Sequence, residues 1–161
     1  MADVFEEITQ NIESSFNGQS ITYNGEAKTI TCERERFVNI IDNRYPFLKL
    51  SGPIIEVLKR ERNRVYCSLH YIAEFIDDSI NDSYDPNTTV IPISEVLGSV
   101  EIDLMKIIMA DRERGGYAKN TEWEGSGYYF DDDEGISLFV KWLQLRVETN
   151  VIAENPYNVG G

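Results

Sequence analysis

Apolar residues recur at helical spacing at the start of the chain. Val4, Phe5, Ile8, Ile12 and Phe16 share one face of the segment Ala2 to Phe16, and Glu6, Glu7, Gln10 and Glu13 fill the other. The pattern predicts an amphipathic helix, ended by Asn17-Gly18, a pair that tolerates positive φ. Ile21-Thr22-Tyr23 and the run Lys28 to Cys32 flank Asn24-Gly25, which predicts a hairpin with a tight type I′ turn. From Phe47 the period shortens toward two. Strands are expected at Phe47 to Leu50, Ile54 to Leu58 and Val65 to Ile76, with Lys59 to Arg64 as the turn between the last two.

Asp77 to Asn87 is rich in Asp, Asn and Ser and reads as a loop. Beyond it Ile93, Val96, Leu97, Val100, Leu104, Ile107 and Ile108 fall on one stripe, predicting a helix from Ser94 to about Arg112 with Gly115-Gly116 past its end. Two long strands follow, Tyr117 to Phe130 and Ile136 to Val147, joined by the Asp131 to Gly135 segment. Asn155-Pro156-Tyr157 is expected to end regular structure, with Gly160-Gly161 as a loose tail. This order predicts a single α+β domain over residues 1–161. Its mainly antiparallel sheet is covered by two helices on one face, with an extra β-hairpin.

Composition narrows the function classes. With 161 residues and 42% hydrophobic content the chain can bury one core without disulfides or a structural metal. Fifteen Lys and Arg face 28 Asp and Glu, a formal charge of −13 that argues against a phosphate-binding surface. The charge is unevenly distributed: residues 1–27 carry −5, residues 28–70 carry +4 and residues 71–161 carry −12. A basic middle and acidic flanks can supply the unlike patches of a head-to-tail ring, although ordinary scatter of surface charge would look the same. Met1 to Gln10 has neither a basic n-region nor an apolar core, so no signal peptide is expected and synthesis is placed in the cytoplasm. Apolar runs are interrupted by charge every few residues, so no membrane span is expected.

Candidate chemistry is sparse. Cys32 and Cys67 lie far apart with one histidine, His70, between them and the end of the chain, which suits structural thiols better than zinc. A lone histidine also excludes a multi-histidine metal site, and packing on a strand is its expected role. Asp131, Asp132, Asp133 and Glu134 could chelate a hard cation, but they lack the alternate spacing of an EF-hand loop and read instead as a solvated connection or a charged partner surface. Tyr117, Trp123, Tyr128, Tyr129 and Phe130 could stack on bases, but the neighbouring acids would repel a nucleic-acid backbone, which favours core packing or a protein interface. Arg60, Arg62 and Arg64, clustered in a turn, are the candidate contacts for an acidic neighbour. No catalytic motif and no cofactor site stands out.

The amphipathic N-terminal helix, the Tyr45-Pro46-Phe47 lead-in to a strand, and the hairpin through Val65 to Ile76 form a recognisable succession. It continues with the helix ending in Ala110-Asp111-Arg112-Glu113-Arg114-Gly115-Gly116-Tyr117, the late strand Leu138 to Val147 and the closing Asn155-Pro156-Tyr157. Over about residues 2–157 it resembles the tail terminator (tail completion) proteins of tailed bacteriophages. The resemblance implies a structural virion protein rather than an enzyme. Such a protein forms a homo-oligomeric, hexameric ring that caps the tail tube, stops its polymerisation and presents a joining surface to the head-to-tail connector or neck protein. DNA would pass through the lumen without specific binding, with Asp131 to Glu134 facing the lumen or a partner and Arg60, Arg62 and Arg64 at a contact. An acidic DNA-mimic inhibitor, another neck protein of the phage, or a small metal-assisted hydrolase begun by the Asp131 cluster are the rival expectations.

Overall fold

The computed structural model describes residues 3–23, 26–34, 46–77, 93–133, 136–152 and 155–159. Helix α1 spans Val4–Phe16, and Asp3 caps it by accepting a hydrogen bond from the Glu6 backbone N–H at 2.8 Å. Its buried stripe is Val4, Ile8, Thr9, Ile12 and Phe16, as the spacing predicts. Strands β1 (Ser20–Tyr23) and β2 (Glu26–Thr29) pair antiparallel, closing at Tyr23 opposite Glu26. The Asn24-Gly25 turn itself lies outside the described residues. The run expected to continue to Cys32 divides at Ile30, where the chain leaves the small sheet and enters the large one as β3 (Thr31–Arg34).

The large sheet carries the fold. Strands β4 (Phe47–Glu61), β5 (Arg64–Asp77), β6 (Asn120–Asp133) and β7 (Ile136–Ile152) are joined in the order β3-β4-β5-β7-β6, and β8 (Asn155–Val159) pairs with the end of β7. All pairings are antiparallel except β3 with β4. Helix α2 spans Ile93–Met109. The observed class is therefore the expected one, α+β with two helices against a mostly antiparallel sheet.

Four local expectations are corrected. The two strands expected on either side of Gly52-Pro53 are one, because the cis Gly52–Pro53 step is absorbed as a register shift between Ser51 and Ile54. The Lys59 to Arg64 turn shrinks to Arg62-Asn63, with Arg62 at φ 55°, so Arg60 lies in β4 and Arg64 opens β5. Asp77 is not loop but the buried last residue of β5, within 3.6 Å of Lys28. Asn155-Pro156-Tyr157 does not end structure: it forms most of β8 on β7's C-terminal end. The rest of the expected 77–87 loop lies outside the described residues.

Alternation along β5 and β7 sorts the two faces. Cys67, Leu69, Tyr71, Ala73 and Phe75 from β5, with Phe139, Leu143, Leu145, Val147 and Val151 from β7, meet the stripes of α1 and α2 in one hydrophobic cluster. Polar groups pin the helices to it. The Tyr71 hydroxyl lies 2.8 Å from Thr9 Oγ1 of α1, and burial pushes the Tyr71 pKa up. Lys141 of β7 is buried 3.4 Å from Glu101 of α2. Arg114, fully buried, donates to the Ile108 carbonyl at the end of α2 and to Ser15 of α1. Gly115 and Gly116 do not end α2, contrary to expectation: the helix stops at Met109, and the two glycines, at φ 69° and 90°, belong to a separate 3-10 turn, Arg114–Gly116.

Candidate interaction surfaces

The face of the sheet turned away from the helices mixes apolar side chains, among them Ile54, Ile72, Tyr129 and Trp142, with charges that are linked across all four long strands. Glu56 of β4 stands beside His70 of β5, with Oε2 3.0 Å from Nε2. His70 is cross-strand from Arg146 of β7, and Arg146 gathers Glu122, Glu124 at 3.2 Å and Glu148 at 3.6 Å. Burial pulls the Arg146 pKa down, but the three carboxylates outweigh that and hold it above the ordinary arginine value. A second row joins Lys49 to Glu74 at 3.6 Å, and Glu74 accepts a hydrogen bond from the Tyr129 hydroxyl at 3.1 Å. At the β4–β5 turn Lys59 pairs with Glu61; this hydrogen bond raises the pKa of Lys59 and lowers that of Glu61. The described side chains of this face supply seven carboxylates, Glu33, Glu56, Glu61, Glu74, Glu122, Glu124 and Glu148, against the permanent cations Lys49, Lys59, Arg64 and Arg146. The excess is negative and small, and most of the charge is already paired. His70 is therefore a half-buried member of this network rather than a core histidine.

The two edges of the sheet are a different surface. β3 covers the outer edge of β4 only from Phe47 to Leu50, and among the described residues neither the rest of β4 nor any of β6 has a strand on its outer side. Among the described residues, eight of the ten large exposed hydrophobic ones lie on these two strands: Ile54, Ile55, Val57 and Leu58 on β4, and Trp123, Tyr128, Tyr129 and Phe130 on β6. Ile54 is 73% exposed and Tyr128 54%, values expected of lysine rather than of isoleucine or tyrosine. Open apolar edges of this length are ones that natural sheets normally cover or charge.

The charged residues singled out in the sequence fall at opposite ends of this sheet. Arg60, Arg62 and Arg64 are all exposed around the β4–β5 turn, level with the C-terminal end of β7. Asp131, Asp132 and Asp133 are not a loop; they continue β6 and pair with Leu138, Ser137 and Ile136 at the other end of β7. Their side chains, and Glu134 altogether, lie outside the described residues. The chain does not bring the two charged groups together within one copy. Sequence reading missed the Glu56–His70–Arg146 row, since no spacing along the chain reveals a cross-strand register. It also read the apolar run Ile54-Ile55-Glu56-Val57-Leu58 as an ordinary strand. Its apolar residues on both faces were the available signal, because a strand at the edge of a one-sided sheet needs only one apolar face.

Cys32 and Cys67 are buried free thiols, and burial pushes Cys32 up to about 12 and Cys67 upward too, so neither is a ready nucleophile or metal ligand. Among the described residues no group of three or more His, Cys, Asp or Glu side chains could hold a metal ion, and no helix is long and apolar enough to cross a membrane. No protein-family model matches the chain, and no curated protein matches it.

Proposed function

We propose that this chain is a structural virion protein of the tail-terminator kind. Copies of it form a hexameric ring on the last ring of a phage tail tube, stop the tube's growth and offer a joining surface to the head-to-tail connector or neck protein. The observation that carries the reading is the helix-free face of the sheet. A strip of linked charges with a small acidic excess is suited to line a lumen, because it repels phosphates weakly and its described cations Lys49, Lys59 and Arg146 are each paired with a carboxylate, so that a passing duplex is not held there. The helices on the other face would then point outward.

The same strip weighs against an acidic DNA mimic. A mimic needs free carboxylates at phosphate-like intervals, whereas Glu56, Glu74, Glu122 and Glu124 are each engaged by a cation or a donor on a neighbouring strand. The deciding experiment is native mass spectrometry with negative-stain electron microscopy on the pure protein, alone and mixed with tail-tube rings. Closed six-fold rings with an open centre, and tubes that stop growing when the protein is added, are expected. A monomer that neither forms rings nor shortens tubes would refute the proposal.

A further inference from the structure

The two edges left open among the described residues lie on opposite sides of the sheet. We infer that the ring is closed by sheet-to-sheet pairing, in which the outer edge of β4 in one copy, from Ser51 to Glu61, takes the outer edge of β6 of the next copy as its antiparallel neighbour. This interface rests on the ring reading and gives that ring its contact.

Strand polarity permits the pairing without turning a copy over. β4 is antiparallel to β5, β5 to β7 and β7 to β6, so β6 runs opposite to β4. A neighbour related by rotation about a ring axis keeps that polarity, and its β6 therefore approaches β4 in the antiparallel sense that every long strand of this sheet already uses. The charges of the two edges are unlike. β6 contains Glu122, Glu124, Asp131, Asp132 and Asp133 and no Lys or Arg, whereas β4 with its turn carries Lys49, Lys59, Arg60 and Arg62 against Glu56 and Glu61. Among the described residues the exposed apolar side chains are concentrated on these edges, with Ile72 and Ile102 the others.

Closure also sets the offset. Sheets that close on themselves tilt their strands by about 35–45°, which across four strands at about 4.8 Å spacing shifts the register by about five residues at about 3.3 Å each. Val57 is level with Thr149 of β7 through Cys67. Let the offset carry the neighbour's β6 toward the β4–β5 turn, and Val57 comes level with Gly125 of the neighbour, whose β7 partner is Gln144. Ile54 to Leu58 then lie beside the stretch Trp123 to Tyr128, and Arg60 lies beside Glu122. The neighbour's β6 reaches the β3-covered part of β4 near Phe130. The acids from Asp131 onward thus fall past the paired stretch, which leaves them for the lumen or for the adjoining ring.

The test uses two lysine substitutions in the full chain, Val57→Lys on β4 and Tyr128→Lys on β6, with Ile102→Lys on α2 as control. Circular dichroism establishes folding, and Leu58→Lys and Phe130→Lys replace any variant that fails it. Native mass spectrometry is expected to show rings for the parent chain and for Ile102→Lys. Each edge variant alone should be monomeric at a concentration at least ten-fold above that at which the parent assembles. Mixed, the two edge variants should stop at a one-to-one dimer, because each brings one intact edge of opposite kind. Rings from both edge variants would overturn the edge pairing while leaving the ring itself standing. Loss of assembly from Val57→Lys alone, or a mixture that stays monomeric, would overturn β6 as the partner. A parent chain that forms no ring would overturn this interface and the ring together.

Discussion

Strand β4 contains two regions of similar composition and opposite fate. In its first part Leu48 and Leu50 are buried under α1, where they touch the cluster built by Phe75, Leu69 and Tyr71. In its second part Ile54, Ile55, Val57 and Leu58, no less apolar, stand 45–73% exposed on an edge with no described neighbour. The cis Gly52–Pro53 step separates the two, and Gly52 is required there, since a Cβ on it would come within 2.7 Å of the His70 carbonyl. Hydrophobic pattern thus reports that a segment will be buried, but not by what. The first part is buried by the chain's own helices, whereas the second has no cover among the described residues.

The sharpest way to break the comparison is to truncate one leucine in each part. Leu50→Ala opens a cavity in the shared core, and a loss of about 2–5 kcal/mol is expected in urea-induced unfolding. If that loss were below about 1 kcal/mol, the proximal part would not be the anchored one and the division drawn at Gly52 would fail.

A smaller effect comes from the packing of β6 against Trp142 of β7. Gly127 of β6 lies under the indole of Trp142, so that an added Cβ would sit within 2.8 Å of the ring nitrogen. Gly127→Ala forces the ring to move and should destabilise by about 1–3 kcal/mol, with a change in tryptophan fluorescence as its independent signature. Unchanged stability and emission would mean that the indole is free to swing away and that this face is looser than the helix-covered one.

Much of this division was legible in the sequence, and what was not has an identifiable cause. The stripes Val4-Ile8-Ile12-Phe16 and Val100-Leu104-Ile108 gave both helices because each stripe is read from local spacing and is fully used by the core. The long strands and the α+β class followed from period and order. The stretches Phe47 to Leu50 and Ile54 to Leu58 read as two strands, because local pattern does not foresee a bulge in the middle of one. Asn155-Pro156-Tyr157 read as an end because proline punctuates structure, although a short strand can carry proline where it adds to an edge. The Glu56–His70–Arg146–Glu122 row was invisible, since it depends on three strand registers at once. The candidate charges Arg60, Arg62 and Arg64 and Asp131 to Glu134 were visible as clusters, but their separation to opposite ends of β7 was not.

A still smaller effect separates packing from surface pairing. Arg34 of β3 holds α1 to the sheet through Glu6 at 2.8 Å and Glu13 at 2.7 Å, and the Arg34 hydrogen bond lowers the Glu6 pKa below its ordinary 4.5. A carboxylate with a lowered folded-state pKa stabilises above its unfolded value and loses that contribution as pH falls through the folded one. The pairing is therefore present at neutral pH and fades as the solution is acidified below 4.5. Both partners are about one-third exposed or more, so solvent screens them, and Arg34→Ala should cost under about 1 kcal/mol at pH 7 and progressively less as the pH falls below 4.5. A cost that stays constant with pH would assign the effect to the packing of the arginine stem.

The smallest expected change is also the most informative about the distal part of β4. Leu58→Ala removes as many atoms as Leu50→Ala, but from a side chain 52% exposed on an open edge, and the free chain should shift by no more than about 0.5 kcal/mol. The measurement belongs at a protein concentration too low for association, because any contact made by the edge adds stability by mass action and would be lost in the variant. Repeating it at rising concentration should then separate the two chains, the parent gaining stability while Leu58→Ala does not. Equal curves at every concentration would place Leu58 among hydrophobic residues that are exposed without consequence. A large loss at the lowest concentration would mean that the distal strand is buried within its own chain after all.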